Sequence, residues 1–502
     1  MHPPLPSLIH ALLEPGRYPD PAPSVKLVET HISWVLLAGE FAYKIKKPVT
    51  LPFLDFGTLE KRRTYCEVEL RLNRRFAPAL YLDVIAISGT PENPRLGGAG
   101  TPIEFAVKMR RFDDDARLDR VCMRGELTPE HISELAQTIV TFHSDAAIAP
   151  VQSRFGTPGD ILVPVLGNFE GLPTLLPGLP WQRRLDTLSS WSRAEFNRLQ
   201  PQFTSRKAAG RVRECHGDLH LGNLALIDDR VTLFDCIEFN EAFRWIDIAS
   251  EIAFTYVDLL DHRQPGLACW LLNEWLSHSG DHDAVPMLRF YATYRAMVRA
   301  KVAAIRASQD GGDSHEAQDY MALAERIVSP PRPRLIITHG LSGCGKTVAS
   351  TRLLLDDPSA TTLRLRSDVE RKRLFGLAPQ AKSGSSVDGG IYRQDAHQRT
   401  YHHLHDLARQ QLAAGWPTIV DAAFLRREER AAFQALAAEV GVAFFILAPQ
   451  ATPAQLRERI VERLKRGSDA SEATLDVLDR QMAWIEPLDA DETRHLLPHA
   501  TP

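Results

Sequence analysis

The run Gly340-Leu341-Ser342-Gly343-Cys344-Gly345-Lys346-Thr347 constrains the fold more than any other stretch of this chain. It fits G-x-x-x-x-G-K-[ST] in full, directly after Leu335-Ile336-Ile337-Thr338, a short apolar run of the kind that forms a buried parallel strand. Glycines at these spacings let the backbone curl so that its N–H groups face nucleotide phosphates. The helix that begins here adds its positive dipole end. In such a loop Lys346 reaches the β- and γ-phosphates of ATP and the Thr347 hydroxyl ligates Mg²⁺.

Beyond the loop, strand and helix patterns alternate. The spacing predicts a strand over 362–365, a helix from Asp368, a helix over 393–413, a strand over 418–421, a helix over 428–440, a strand over 443–447 and two terminal helices. Alternation of this kind implies a parallel sheet flanked by helices, here an α/β P-loop domain over 334–502. In such sheets the carboxyl ends of the strands face the site. Asp368, just past the second strand, is placed to accept a proton from an acceptor hydroxyl, and Asp421, ending the third, suits Mg²⁺ or water. Helix N-capping is the plainer reading of each. Arg457, Arg459, Arg463 and Arg466 put several guanidiniums on one helical face, as an arginine-bearing lid or as a solvated basic face.

These residues, with Arg371-Lys372-Arg373, Val420-Asp421-Ala422 and Ser468-Asp469-Ala470, resemble the small P-loop kinases grouped with polynucleotide kinase, gluconate kinase and zeta-toxin-type kinases. The resemblance implies that Asp368 binds or deprotonates the acceptor and that Arg459 and Arg463 are lid arginines.

A proline cluster at Ser329-Pro330-Pro331-Arg332-Pro333 reads as a stiff linker, residues 329–333, because it can continue neither helix nor sheet. Upstream, residues 25–112 are strand-rich, with a hairpin about Gly39-Glu40, a helix over 59–76 and strands near 81–87 and 104–110. Helical patterns dominate residues 129–328. A small β-rich lobe (about 25–112) followed by a larger α-rich lobe (about 113–328) gives an α+β two-lobed domain over 1–328. Segments 91–101 and 379–390, rich in Gly with Pro or Ser, read as mobile.

His216-Gly217-Asp218-Leu219-His220-Leu221-Gly222-Asn223, with Asp235 twelve residues further on, supplies an acid for an acceptor hydroxyl, an amide for metal and a second acid for metal. The turn-like Asp228-Asp229-Arg230 predicts a hairpin that brings Asn223 and Asp235 together. His216 and His220 are read as packing histidines. The constellation resembles the aminoglycoside phosphotransferase family, which has a protein-kinase-like fold, over roughly residues 25–328. That resemblance implies a lysine on the ATP phosphates, held by a glutamate, in the small lobe. Lys44 is the choice for the lysine, although Lys46 shares its strand face. Glu69 and Glu67 compete for the partner. Asp247 would brace the catalytic loop. The glycine-rich loop of protein kinases is absent, and no acidic pocket for a polycationic drug is visible.

Over 502 residues, 44% hydrophobic and 24% charged, the chain reads as packed domains, and a net charge of −4 argues against a general nucleic-acid coat. Six scattered cysteines and an N-terminus with no apolar core suggest a reducing cytoplasm, with no membrane span. The expected ligands are ATP, Mg²⁺ and an unidentified hydroxyl-bearing acceptor; a nucleic-acid 5′-hydroxyl is not favoured. Two sites then predict a bifunctional kinase. The alternatives are a single active P-loop kinase regulated by the kinase-like domain, and an ATP-hydrolysing switch or adaptor.

Overall fold

The computed structural model describes residues 5–497 except 52, 177, 311, 380, 383–390, 392 and 467–470. Most of the 379–390 segment and Ser468-Asp469-Ala470 lie outside the described residues. The chain forms two compact units. Met1–Leu127, Thr141–Pro164 and Gln200–Asp258 make one; Thr128–Val140, Val165–Leu199 and Leu259–Pro502 make the other.

The first unit holds strands β1 (Val25–Glu29), β2 (Ser33–Ala38), β3 (Phe41–Lys46), β4 (Thr50–Leu51), β5 (Leu54–Asp55), β6 (Tyr81–Thr90), β7 (Asn93–Leu96) and β8 (Pro102–Arg110). Six of them form an antiparallel sheet in the order β1-β2-β3-β8-β6-β7. The β2–β3 hairpin turns where the sequence predicts it. Gly39 has φ +58°, and a Cβ there would sit 2.4 Å from the Pro21 carbonyl oxygen, so both backbone angle and space require glycine. The 91–101 segment, read as mobile, instead contributes β7. Thr90 pairs with Asn93 across a tight turn, and Leu96 is buried, which anchors the strand.

The helix Leu59–Asn73 starts on a Thr58 N-cap, whose hydroxyl accepts the Lys61 N–H at 3.2 Å. Its buried residues, Arg62, Cys66, Glu69, Leu72 and Asn73, recur at helical spacing yet are mostly polar. They are matched by charge from the sheet, Arg62 reaching Glu104 of β8 with Nε at 2.9 and 3.0 Å from the two carboxylate oxygens. Further along the chain come β9 (Val212–Glu214), β10 (Leu224–Ile227), β11 (Arg230–Leu233) and β12 (Trp245–Asp247). Asp228 and Asp229, at φ +51° and +57°, make the two-residue turn joining β10 to β11.

The second unit contains β13 (Arg334–Thr338), β14 (Leu363–Arg366), β15 (Thr418–Asp421) and β16 (Ala443–Leu447), all parallel, in the order β14-β15-β13-β16. Leu335, Ile337, Leu365, Val420 and Ile446 are fully buried in a core shared with the helices Gln394–Ala413 and Arg427–Val440. Each such side chain contributes about 1.5–3 kcal/mol on burial. In architecture the fold class is therefore the expected one: an α+β part built on an antiparallel sheet, and an α/β P-loop part with a parallel sheet flanked by helices.

The helix Pro265–Ser279, upstream of the proline linker, packs on this same sheet. The Asn273 side chain donates to the Thr362 carbonyl at 2.9 Å and accepts the Arg364 N–H at 2.6 Å, pairing with the open edge of β14 as a neighbouring strand would. No described helix is long and apolar enough to cross a membrane.

Candidate active sites

In the P-loop half, β13 delivers the chain into a loop where Gly340, Gly343 and Gly345 all have positive φ (+139°, +85° and +98°). A Cβ on Gly343 would meet the Leu456 carbonyl oxygen at 2.8 Å. The loop thus curls against the helix Pro453–Arg466, and Cys344, Leu456, Ile460 and Leu478 form a small core beneath it. Lys346 opens the helix Lys346–Leu355, and its Nζ donates to the carbonyls of Gly340 (2.7 Å) and Leu341 (2.9 Å). The Ser342 N–H donates to Gln481 Oε1 at 2.8 Å.

Parallel pairing sets Arg366 of β14 opposite Asp421 of β15, so both strands end at the loop. Asp421 is buried and accepts the Ser350 hydroxyl at 3.2 Å. Beneath the loop, Arg364 donates to the Ser350 (3.1 Å) and Thr351 (2.8 Å) hydroxyls. Burial pulls its guanidinium down to about 10, with Arg366 adding to the effect. Asp368 follows in the helix Ser367–Leu374 and accepts from Arg371 at 3.2 Å. Lys346, Thr347, Asp368, Asp421, Arg459 and Arg463 all line one cleft of about 1330 Å³. Arg459 Nη1 lies 3.4 Å from the Gly343 carbonyl oxygen, and Arg463 donates to the Ala473 carbonyl at 2.8 Å. The hard oxygen donors Thr347 and Asp421 fit Mg²⁺.

In the first unit, Lys44 on β3 donates to Glu69 Oε1 at 2.8 Å and also to Asp235. Lys46, two residues on along the same strand face, donates to Glu69 Oε2 at 2.6 Å and to Glu238. Glu69 therefore binds both lysines, whereas Glu67 is exposed and pairs with Arg63 at 2.9 Å. Of the two lysines, Lys44 is the one that also reaches Asp235. The backbone of Asp235 is held at φ +63°, a conformation rare outside glycine, and its N–H donates to the Tyr81 hydroxyl at 3.0 Å. Asn223 Nδ2 donates to the Asp218 carbonyl (2.9 Å) and carboxylate (3.2 Å). The Phe234 N–H donates to the Asn223 carbonyl at 3.0 Å, so the β10–β11 hairpin returns Asp235 to Asn223. Asn223 and Asp235 again offer oxygen donors suited to Mg²⁺.

Asp247 does not brace the loop around Asp218. It is buried against Arg206, which reaches its two oxygens at 2.7 and 2.8 Å, because a buried guanidinium requires a counter-charge. The loop hangs instead from residues further along the next helix. Glu251 accepts the Gly217 N–H at 2.7 Å, Asp258 accepts the Leu221 N–H at 2.7 Å, and Thr255 donates to the Leu219 carbonyl at 2.7 Å. His216 packs as read, its Nε2 at 2.8 Å from the Phe234 carbonyl oxygen, and burial lowers its pKa.

Several participants escaped the sequence reading, among them Glu238, Gln481, Arg364, His397 and Glu429. Glu238 carried the one visible signal, an acid three residues after Asp235. Gln481, Arg364 and the His397–Glu429 pair (2.6 Å) are brought in by tertiary packing, with no local pattern to announce them.

Residues 335–488 match the family model described as an AAA domain. Over 474 residues the chain is 29% identical to an uncharacterized protein of Mycobacterium tuberculosis, covering 92% of this chain and 91% of that one; a Mycobacterium bovis protein matches equally. Among solved structures it is similar to amicoumacin kinase in complex with AMP-PNP, Ca²⁺ and Ami (12% identity, 64% of this chain, 92% of that chain, TM-score 0.41). It is also similar to an aminoglycoside phosphotransferase from Alicyclobacillus acidocaldarius (13% identity, 66% and 98% coverage, TM-score 0.37).

Proposed function

We propose that the chain is an ATP-dependent phosphotransferase with two nucleotide sites, each moving the γ-phosphate of ATP to a hydroxyl group. The observation that carries this reading is the meeting of a complete phosphate loop, an acid for the acceptor and an acid for the metal in one cleft.

In the P-loop site the loop amides and Lys346 bind the triphosphate, while Asp368 takes the proton of the acceptor hydroxyl. The freed oxygen forms the new bond to the γ-phosphorus as the bond to the β-phosphate oxygen breaks, leaving ADP and a phosphate ester. Arg459 and Arg463, on the helix packed against the loop, spread the charge that develops on the transferring group. Mg²⁺, held by Thr347 and Asp421, neutralises phosphate charge when bound. In the upstream site Lys44, fixed by Glu69, takes the phosphates, Asp218 is the base, and Asn223 and Asp235 hold the metal.

Labelled γ-phosphate from ATP, incubated with the intact protein, pooled metabolites and oligonucleotides, tests both sites. Lys346→Ala is expected to remove one labelled product and Asp218→Ala another. Labelled inorganic phosphate alone, under all conditions, would refute the transfer and favour an ATP-hydrolysing switch.

A further inference from the structure

One wall of the 1330 Å³ cleft belongs to no group that handles ATP. It is built where the helices Gln394–Ala413 and Arg427–Val440 begin, and an arginine precedes the first turn of each: Arg393 and Arg426. The start of a helix already presents positive partial charge and unsatisfied N–H groups, so Ser, Thr, Asp or Asn is the stabilising choice there and a cation is not. Two breaches of this preference facing one cavity are the kind of local inconsistency that function imposes.

Among the described residues no hydrogen bond or ion pair engages the Arg393 side chain, and Arg426 meets only the exposed Glu428, at 3.3 Å. One turn beyond Arg393 on the same helical face, His397 also lines the cleft. Its Nε2 is fixed by Glu429 at 2.6 Å, and its ring lies 4.5 Å from that of Tyr401. Asp368 faces the same space.

Resting on the phosphotransferase reading above, we propose that the acceptor of the P-loop site carries, besides its reacting hydroxyl, an anionic phosphate or carboxylate group bound by Arg393 and Arg426. A negatively charged acceptor is repelled by the triphosphate it must approach, and two guanidiniums lining the cleft offset that repulsion and fix which hydroxyl faces Asp368.

The test uses the full chain with both nucleotide sites filled by AMP-PNP and Mg²⁺. Inorganic phosphate and acetate are the probes of the two anion chemistries, read by calorimetry. Wild type is expected to bind one of them, phosphate marking a hydroxylated phosphate ester and acetate a hydroxy acid. The Arg393→Gln/Arg426→Gln double variant is expected to bind that probe about tenfold or more weakly, the scale of lost charge-assisted hydrogen bonds, with AMP-PNP affinity unchanged as evidence of intact folding. Binding of neither probe, or equal binding by the double variant, overturns the anionic acceptor alone. Failure of wild type to bind AMP-PNP overturns the phosphotransferase reading itself, and this inference with it.

Discussion

Glu69→Gln keeps the size of a fully buried side chain and removes the charge shared by Lys44 and Lys46, whose ammonium groups lie 2.8 and 2.6 Å from its two oxygens. Burial pushes the Glu69 carboxyl up, but Lys44 and Lys46 overcome that and hold it at about 2, against an ordinary 4.5. At about 1.4 kcal/mol per pH unit, this depression corresponds to about 3 kcal/mol of stability at neutral pH. That sits at the low end of the roughly 3–5 kcal/mol expected when one partner of a buried ion pair is removed. The low end is reasonable, because burial and the nearby charge of Glu69 raise the Glu238 carboxyl, and removing Glu69 relieves the second of these. A depressed carboxyl contributes in full above 4.5 and loses its contribution as the pH falls through 4.5 toward 2. Native-state hydrogen exchange of β3 and the helix Leu59–Asn73, on the full chain, is the assay. Opening free energies should drop by about 3 kcal/mol at pH 7 in Glu69→Gln, with the gap to wild type narrowing below pH 4.5. Glu67→Gln, an exposed helix-surface pair, should cost at most about 0.5 kcal/mol. A Glu69→Gln effect below about 1 kcal/mol, or one equal to that of Glu67→Gln, would refute the shared-charge account.

Two further substitutions probe the P-loop half. Gly343→Ala sets a Cβ 2.8 Å from the Leu456 carbonyl oxygen at φ +85°, so calorimetry of AMP-PNP in an Asp235→Asn background should show affinity down by tenfold or more. Arg430→Met strands Glu492, which Arg430 grips at 2.6 and 2.9 Å, and leaves the Phe424 and Leu425 carbonyls without its Nη1. A loss of about 3–5 kcal/mol is expected, seen as a lowered urea midpoint.

The parallel sheet was legible because its strands are buried apolar runs with a distinctive residue at each carboxyl end, and helices with clear spacing separate them. The hairpin between Asn223 and Asp235 was equally readable, since two consecutive Asp residues tolerate the left-handed conformation its turn requires. The choice between Glu67 and Glu69 was not. The buried face of their helix carries Arg62, Glu69 and Asn73, so hydrophobic periodicity could not identify the inward side. Asp247 misled because its partner, Arg206, stands 41 residues earlier on a helix whose inward face gives no local sign of the pairing. The wall formed by Arg393, His397 and Arg426 exists only because sheet order brings two helix starts to one opening.

Asn273 has a practical corollary for anyone dissecting the chain. Its amide occupies backbone groups at the rim of β14 that the P-loop sheet cannot pair for itself. A fragment cut at the proline-rich seam would leave that rim bare, a template for adding strands from other molecules. Expression of the C-terminal half should therefore begin ahead of Pro265, and a soluble, monomeric fragment starting at Arg334 would show that the rim needs no cover.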